Sequence, residues 1–309
     1  MERRQTAGTQ RPYALFGCMR YYSDTHTLFI RGSFRAASTG INGGLRQVPV
    51  LFNHTVLPGW DHADPGRELA MVAAGAGLSP EYFGLLTAVP IQQSCVLQYD
   101  FVTVFITAEI RREAMESAGT INIIVTSSEG MGDAALLETI MVTTEAKAEA
   151  LAALGLPLSG TPTDAVIAAC EGVVKHRNAG RLTDNGLRVR AAVIHGIPHA
   201  IQRHDSEVQD HPLSFFVFSR IKGEHWVEWG PLNCQYYPCH FAGQACDFCY
   251  CPFYPCGDES LGQWSAGSNG NRVWNCAGCT LNHDPAIAIY LKKYPSSSLT
   301  EIRARQKKE

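Results

Sequence analysis

Short apolar runs alternate with segments of helical periodicity through the first two thirds of the chain. Phe101–Thr107, Ile121–Val125 and Ala165–Ala169 are rich in β-branched, aromatic or small apolar residues and predict buried strands. Between the last two runs, apolar residues recur at approximately helical spacing from Leu136 to Leu154, which predicts a long amphipathic helix. Strands that alternate with helices predict a layered α/β or α+β domain with a mixed sheet and helices.

Capping residues predict where the helices begin and end. Asp64 and Ser79 each precede a proline and predict the start of a short helix, because their side chains can accept hydrogen bonds from free backbone N–H groups and proline is tolerated in the first turn. Asp133 is expected to cap the long helix, and Gly155 is expected to end it.

Two turns are predicted nearer the start of the chain. Thr27–Ile30 and Phe34–Ala37 flank Arg31-Gly32 and predict a β-hairpin. Gly40–Gly44 predicts a Gly/Asn turn.

His195 and His199 have the i,i+4 spacing of a metal pair on a helix. Gly196 and Pro198 disfavour a helix between them, so we expect histidines that are hydrogen-bonded or face solvent.

The composition changes between Ile201 and Pro212, where the chain becomes polar before a segment rich in aromatic residues and cysteines. We expect a domain boundary there. The sequence predicts a disordered leader at residues 1–12, a first domain at residues 13–208 and a small irregular, metal-stabilised domain at residues 213–309.

Charge and hydropathy narrow the classes of function. The formal net charge of −3 and the isoelectric point near 6.4 give no overall basic field, so nucleic acid and anionic membranes are not expected partners. No run of about 18 apolar residues could span a bilayer, and the polar start of the chain lacks the apolar core of a signal peptide. A cytoplasmic location is expected.

Eight of the eleven cysteines lie close together in the predicted second domain. They are Cys234, Cys239, Cys246, Cys249, Cys251, Cys256, Cys276 and Cys279. Their short C-x-x-C spacings suit zinc, and eight thiols supply two four-cysteine sites, with His225, His240 and His283 as alternative ligands. An iron–sulfur cluster is less favoured, because the spacings do not match the common ferredoxin runs. Disulfides are a further alternative, disfavoured by the reducing cytoplasm.

The metal can be structural or catalytic. A closed four-ligand site is structural, whereas a catalytic zinc keeps one position open for water. The structural role is favoured, because metal can replace a core that a small domain rich in Gly, Pro and aromatic residues struggles to build. A nucleic-acid finger is disfavoured, since no basic recognition helix accompanies the cysteines. The isolated cysteines Cys18, Cys95 and Cys170 are expected to be buried thiols.

Polar residues beside apolar strands are the candidates for chemistry in the first domain, which has no standard short catalytic motif. Asn122 lies within an apolar run, so its amide either forms a structural hydrogen bond or contacts a ligand. Glu145 and Lys147 do not share a helix face, so one of them is expected to point inward. Thr161–Asp164 either contributes polar groups to a site at a strand edge or forms a plain turn.

Five blocks in order resemble the adenosylcobinamide amidohydrolase family over roughly residues 25–200. The blocks are Gly40–Gly44, Gly84–Ala88, Gly119–Val125, Thr144–Lys147 and Gly160–Asp164. The resemblance implies hydrolysis of the amide that joins the aminopropanol arm to the corrinoid, which releases adenosylcobyric acid for cobamide salvage. Residues 213–295 resemble a family of small cysteine-rich domains, which implies metal binding and a role as a partner-docking module.

Amide hydrolysis needs an activated water or nucleophile, donors to the oxyanion and an acid for the leaving amine. Within the matching blocks, Glu145 or Asp164 is the candidate general base, Lys147 is expected to orient it or stabilise charge, and Asn122 is expected to donate to the oxyanion. The candidate substrate-binding residues are Asn42, Gly43, Gly44, Thr87 and Thr163. A hydroxyl nucleophile, Thr87 or Thr163, is a variant of this hypothesis. No cofactor is expected for the hydrolysis itself.

Two departures from the family pattern support rival hypotheses. Glu109 stands where the family usually has glycine, and Leu187–His204 differs from a Gly-rich helix. One rival is a non-catalytic corrinoid-binding or regulatory protein whose cysteine-rich domain docks a partner. The other is zinc-dependent hydrolysis at the cysteines, which predicts that a chain ending near Asp210 is inactive.

Overall fold

The computed structural model describes most of the chain and divides it into two compact units. The described residues are 11–16, 19–57, 59–110, 119–206, 213–219, 224–229, 237–246, 248, 251, 253–266, 272–293 and 297–306. The first unit contains the described residues from 19 to 228, and the second contains residues 11–16 and those from 229 onward. The predicted leader lies outside the described residues, apart from positions 11 and 12.

Strands and helices alternate through the first unit and are short in the second. The strands are β1 (Arg11–Phe16), β2 (Met19–Ser23), β3 (Thr27–Ser38), β4 (Gly44–Thr55), β5 (Phe83–Thr87), β6 (Cys95–Tyr99), β7 (Val102–Ile110), β8 (Gly119–Ser127), β9 (Gly130–Met131), β10 (Ala165–Cys170), β11 (Val174–His176), β12 (Ser214–Ser219), β13 (His225–Trp229), β14 (Gln263–Ala266) and β15 (Arg272–Asn275). The helices are α1 (Pro65–Gly75), α2 (Asp133–Ala153), α3 (Asp184–Asp205), α4 (Pro285–Lys293) and α5 (Leu299–Gln306).

A mixed sheet forms the frame of the first unit. Its strands follow the order β2-β3-β10-β8-β7-β6-β12-β13, and β4 pairs with β3 and with β5. The pairs β8/β10, β4/β5 and β6/β12 are parallel, whereas β3/β4, β3/β10, β7/β8 and β6/β7 are antiparallel. The prediction of a layered domain with a mixed sheet and helices is therefore confirmed.

Helices α2 and α3 cover one face of this sheet. Their buried side chains pack with Val104 and Ile106 of β7 and with Ile121 and Ile123 of β8 in one apolar cluster. Because parallel strands need a crossover connection, α2 links β8 to β10 and α3 lies between β6 and β12 in the chain. Helix α1 instead packs on β3 and β4, where Leu69 meets Phe29 and Phe52.

The opposite face of β7 and β8 is partly polar. Side chains alternate along a strand, so Thr107 and Asn122 point away from Ile106 and Ile123. Asn53 of β4 lies between the two polar residues: its amide donates to the Thr107 hydroxyl over 3.0 Å, and its oxygen accepts from Asn122 Nδ2 over 3.0 Å. β4 therefore packs across β7 and β8 through paired polar groups.

The predicted hairpin at Arg31-Gly32 is wrong, because β3 runs without a break from Thr27 to Ser38. The register with β4 shifts between Arg31 and Phe34. Ser33 N donates to Glu171 Oε1 over 2.7 Å at this irregularity. The turn signal therefore marks a bulge within one strand, stabilised by a residue distant in sequence.

Three helix predictions need correction. No helix follows Ser79, because the apolar residues Phe83–Thr87 form a strand beside β4. Asp133 is the first residue of α2 and not its cap; its carboxylate pairs with Arg35 instead, at 2.8 Å. Helix α3 continues through Pro198, contrary to the prediction from its glycine and proline.

Other predicted boundaries are confirmed. Asp64 caps α1 by accepting from Arg67 N over 2.9 Å, and α2 ends just before Gly155, whose φ is +73°. Gly40–Gly44 is a turn in which Asn42 has a φ of +54°. Among the described residues, no helix is long and apolar enough to cross a membrane.

The second unit has a small core of its own. Phe248, Leu281, Ile287, Leu291 and Ile302 pack together, and β14 and β15 form an antiparallel pair. A cysteine-rich part with little regular structure agrees with the sequence prediction.

Candidate active site

A pocket of about 480 Å³ opens in the first unit where several strands end. The turn after β3, the end of β5, the start of β8 and the loop before β10 contribute to its wall. Its lining residues are Thr39, Gly40, Ile41, Val56, Trp60, His62, Pro65, Leu85, Leu86, Thr87, Ala88, Thr120, Pro162, Thr163, Asp164 and Ala165. The wall is thus mainly apolar, with a few hydroxyls, one imidazole and one carboxylate, as is usual for a small-molecule site.

A buried ion pair lies at the pocket wall. Lys147 of α2 reaches Asp164, and both side chains are less than a tenth exposed. Asp164 also accepts from Thr161 N over 2.9 Å, from Thr161 Oγ1 over 2.6 Å and from Ile121 N over 2.7 Å. Charge and hydrogen bonds therefore hold this carboxylate in one orientation.

Gly160 makes room for that pair. A Cβ atom at this position would collide with Lys147 Nζ and Asp164 Oδ2. Within the Gly160–Asp164 block, the glycine therefore leaves space that the Asp164 carboxylate and the Lys147 ammonium group occupy. Lys147 is the inward-facing member of the Glu145/Lys147 pair, as one of the two was predicted to be.

Asn122 lies beneath the pocket wall and is 1% exposed. Its Nδ2 donates to Asn53 Oδ1 over 3.0 Å and to the carbonyl of Leu86, a lining residue, over 2.8 Å. Its Oδ1 is buried with no hydrogen-bond partner among the described residues. Both amide hydrogens are thus engaged within the protein, while an acceptor is left over.

The other predicted residues fall in different places. Thr87 and Thr163 line the pocket; Thr87 Oγ1 accepts from Val89 N over 3.1 Å, and Thr163 Oγ1 lies 2.8 Å from Thr120 Oγ1. Glu145 is exposed on α2 and is not a lining residue.

Asn42, Gly43 and Gly44 belong to the turn beside the lining residues Gly40 and Ile41 and do not themselves line the pocket. Arg46 donates to the carbonyls of Asn42 and Gly43 over 3.0 and 3.1 Å, which holds this turn in place.

Trp60 and His62 are lining residues that the sequence analysis missed. Their rings lie 4.4 Å apart between centroids on the loop that joins β4 to α1. This loop has neither strand nor helix periodicity, so only the residue types offered a signal.

Glu109 is buried, at 6% exposure, and pairs in register with the lining residue Thr120. Its Oε1 lies 3.8 Å from His204 Nε2, an ion pair when the imidazole is protonated. A charged side chain thus occupies the face next to the pocket at the position where the family pattern has glycine.

His195 and His199 share one face of α3, with ring centroids 4.6 Å apart. His195 stacks on Trp226 at 5.1 Å, and its buried Nε2 has no hydrogen-bond partner among the described residues. Burial, with a smaller contribution from the neighbouring His199, lowers the pKa of His195 to about 4.

Six of the eight clustered cysteines are described, whereas Cys234 and Cys249 lie outside the described residues. The six are free thiols: Cys239, Cys246, Cys251, Cys256, Cys276 and Cys279. The pKa of Cys251 is raised to about 11, mainly by burial and to a smaller extent by Cys279, Cys276 and Cys256. Among the described residues, no group of three or more His, Cys, Asp or Glu side chains converges closely enough to hold a metal ion.

The two isolated cysteines that are described, Cys95 and Cys170, are buried thiols as predicted. Cys18 lies outside the described residues.

The fold and the pocket define a two-module protein, in which a layered unit of helices and a mixed sheet carries the pocket and a separate unit carries the clustered cysteines. The family model for adenosylcobinamide amidohydrolase matches residues 18–209, and that for a cysteine-rich small domain matches residues 225–306. The chain belongs to the adenosylcobinamide amidohydrolase family, a family of enzymes that act on an amide.

Two relatives agree with this assignment, and a third protein is similar over a short stretch only. The chain is similar to the adenosylcobinamide amidohydrolase of Methanosarcina mazei, with 37% identity over 60% of this chain and 98% of that protein. The enzyme of the same name from Halobacterium salinarum is 28% identical over 57% of this chain and 84% of its own. A probable cobalt-factor III C(17)-methyltransferase of Methanothermobacter thermautotrophicus is 48% identical over 20% of this chain and 17% of its own.

Proposed function

We propose that this protein hydrolyses the amide between aminopropanol and the corrinoid in adenosylcobinamide, releasing adenosylcobyric acid for cobamide salvage. Family membership supports the reaction class, and the pocket of the first unit, which lies within the matched residues 18–209, is the observation that carries the proposal. Water adds its oxygen to the carbonyl carbon, the C–N bond breaks, and the amine leaves with a proton.

The size of the pocket suits one arm of the substrate. About 480 Å³ lies in the range of about 300–1,000 Å³ that is usual for drug-sized ligands. A corrinoid with its adenosyl ligand is larger, so the aminopropanol arm enters while the ring system stays at the mouth. Trp60 supplies an aromatic surface beside the entering arm.

We assign proton transfer in the pocket to His62. Asp164 lines the pocket but already accepts four hydrogen bonds, so its carboxylate suits positioning and charge stabilisation better than proton abstraction. An imidazole is the side chain that most often serves as general acid and base near neutral pH. Thr87 and Thr163 offer hydroxyls to the substrate, and Asn122 offers an oxyanion donor if its hydrogen bonds rearrange.

The decisive experiment is incubation of the purified protein with adenosylcobinamide, followed by mass spectrometry. Adenosylcobyric acid and free aminopropanol are the expected products, and intact substrate after prolonged incubation with a folded protein counts against the proposal. The variants Asp164→Asn and Glu145→Gln then test which of the two carboxylates takes part in the reaction. Activity is expected to fall in the first variant and to persist in the second, because only Asp164 lines the pocket.

A second candidate function is corrinoid binding without hydrolysis, favoured by buried Glu109 beside the pocket. This carboxylate lies on the strand beside the lining residue Thr120, to which Glu109 is paired. The same incubation tests this candidate, since tight corrinoid binding with no turnover supports it. A Glu109→Gly variant that gains turnover would identify the side chain as the cause.

For the cysteine-rich unit we propose a structural role for metal, with zinc favoured over an iron–sulfur cluster and two sites in the complete cluster. Its donor set of neutral imidazoles and thiols suits zinc. Free thiols in the described residues also support a reducing compartment, the cytoplasm. Elemental analysis of protein purified without chelator tests the metal, and co-purification tests whether the unit docks a protein partner.

A further inference from the structure

We propose that Cys239 and Cys246 bind the same metal ion and that Gln244 is the residue that positions both of their sulfur atoms. The inference rests on the proposal that the cysteine-rich unit binds metal. It adds a pairing of cysteines and a role for an uncharged residue, neither of which follows from the cysteine spacing.

One amide nitrogen, that of Gln244, donates hydrogen bonds to both sulfur atoms. Gln244 is 5% exposed, and its Nε2 donates to Cys239 Sγ over 3.2 Å and to Cys246 Sγ over 3.3 Å. Because both sulfurs lie within hydrogen-bond distance of a single atom, they face a common point.

The other end of the same side chain fixes the backbone. Gln244 Oε1 accepts from His240 N over 2.8 Å and from Phe241 N over 3.2 Å. The Gln244 side chain therefore connects the backbone turn after Cys239 to the sulfur atom of Cys239. Rotating Gln244 away would leave two backbone N–H groups without their partner.

The chemistry of sulfur suggests why an amide is placed there. A neutral thiol is a weak acceptor, and a buried amide N–H is costly when poorly satisfied. A metal-bound thiolate carries negative charge and accepts strongly, and residues behind metal ligands commonly orient them in this way. A glutamine with both N–H groups directed at sulfur therefore fits two thiolates on one ion.

Among the described residues, the groups around Cys239 and Cys246 identify only these two cysteines as ligands of the shared ion. His240 Nδ1 lies 3.0 Å from Cys239 Sγ, while His240 Nε2 lies 3.2 Å from the Ala277 carbonyl. Because no group of three or more possible ligands converges among the described residues, we do not assign a third ligand.

Metal stoichiometry in the full-length protein tests the pairing. The metal-to-chain ratio is measured for the unmodified protein, Cys239→Ser, Cys246→Ser and the double variant. If one ion is shared, each single variant and the double variant lose the same one ion. Loss of two ions in the double variant, an unchanged ratio in either single variant, or no metal in the unmodified protein overturns the proposal; the last result also removes the metal proposal itself.

Variants of Gln244 test its role without touching a ligand. Gln244→Glu keeps an acceptor for the turn but replaces the amide donor, and Gln244→Met removes the donor without adding charge. Asn282→Asp is the matched control, because Asn282 is a buried amide of the same unit that donates to the Phe248 carbonyl and not to sulfur.

The readouts are the thiolate-to-cobalt absorption of Co²⁺-loaded protein and its competition with a chelator. Both Gln244 variants are expected to bind Co²⁺ about 10- to 100-fold more weakly, the usual effect of losing such a partner, while the control retains its affinity. Near-ultraviolet circular dichroism of the packed Trp264 and Trp274 rings, which belong to the same unit, reports that each variant is folded. Wild-type affinity in both Gln244 variants, or an equal loss in Asn282→Asp, overturns the positioning role.

Discussion

Asp164 and Lys147, which form a buried ion pair, differ in the number of other hydrogen-bond partners. Asp164 retains three donors besides Lys147, whereas Asp164 is the only acceptor for Lys147 among the hydrogen bonds of the described residues. Removing one member of a buried pair is costly mainly because the other charge is left buried without a partner. The two positions should therefore respond differently to substitution.

We expect Asp164→Asn to lower the free energy of unfolding by about 3–5 kcal/mol, because Lys147 is left buried without its carboxylate. Lys147→Met should cost less, about 1–3 kcal/mol, since the three other donors still satisfy Asp164. Urea denaturation of both variants measures the difference. An equal or larger loss in Lys147→Met contradicts this account of the pair.

His62→Gln is expected to lower kcat about 10²- to 10⁴-fold, the usual contribution of a general acid or base, with little change in corrinoid affinity. His26→Gln is the matched control, because His26 belongs to the same unit and does not line the pocket. Steady-state kinetics and equilibrium binding are measured over a range of pH. A His62 variant with normal kcat and an unchanged pH profile excludes the imidazole from catalysis.

At the scale of single residues, the sequence indicated those polar groups that interrupt an apolar pattern. Asn122 was visible because burial of a polar side chain requires a partner, and Asp164 was visible because it stands at the edge of a predicted strand. His62 was not, because an exposed loop has no periodicity against which a residue stands out. Lys147 points inward and Glu145 points outward, and the sequence could not show which of the two does so, because this depends on how α2 packs on the sheet.

At the scale of helices and strands, close packing determines whether the structure follows the local sequence signal. A Cβ atom on Gly196 would lie 2.6 Å from the side chains of Leu97 and Ile106, so the glycine lets α3 approach β6 and β7. Tertiary contacts of this kind outweigh the low helix propensity of Gly196 and Pro198. The apolar runs predicted β7, β8 and β10 well, because nearly every residue of these strands is buried. The extent of α2 was also predicted, although Leu137 and Met141 of its apolar pattern are exposed. Helix α3 and the bulge in β3 depend on distant residues.

Gly196→Ala is expected to destabilise the protein by about 1–3 kcal/mol, because the added methyl group overfills a packed contact between helix and sheet. Gly75→Ala in α1 is the control: nothing lies within 4 Å of its Cβ position, and a gain of up to about 1 kcal/mol is expected from helix propensity. Thermal and chemical unfolding measure both. Equal effects at the two glycines would show that packing is not the reason.

The histidine face of α3 predicts a dependence of stability on pH. In the folded protein burial holds the pKa of His195 at about 4, whereas the unfolded chain has a value near 6.5. Between these values the unfolded chain binds a proton that the folded protein does not, so stability falls as the pH drops from about 6.5 to 4.

His195→Phe keeps the ring contact with Trp226 and should remove about 1–2 kcal/mol of this pH dependence, after allowance for solvent screening of a partly exposed ring. Denaturation at several pH values compares the two proteins. His199, whose pKa burial also lowers, accounts for part of the remaining slope. An unchanged slope in the variant contradicts the assignment to His195.

At the scale of the whole molecule, the first unit extends past the polar segment that precedes Pro212. Strands β12 and β13 follow that segment, yet the first unit includes them up to Glu228. Pairing between strands more than a hundred residues apart leaves no local signature in sequence.

A chain that ends at Glu228 is expected to retain hydrolysis, because it keeps the pocket, all of β12 and all but the last residue of β13. Removing metal from the full-length protein with a chelator should likewise leave turnover largely unchanged. Mass-spectrometric assays of both preparations measure this. Loss of activity in the folded, shortened chain would support hydrolysis that depends on the cysteine-rich unit.

The pairing of β12 with β6 also affects solubility. The match to the amidohydrolase family ends at residue 209, and Ser214–Ser219 covers the backbone edge of β6 that β7 leaves open. If the chain were cut before Ser214, this row of N–H and C=O groups would be exposed, and copies could join edge to edge. Strand β12 of the first unit thus protects the edge of the sheet from self-association.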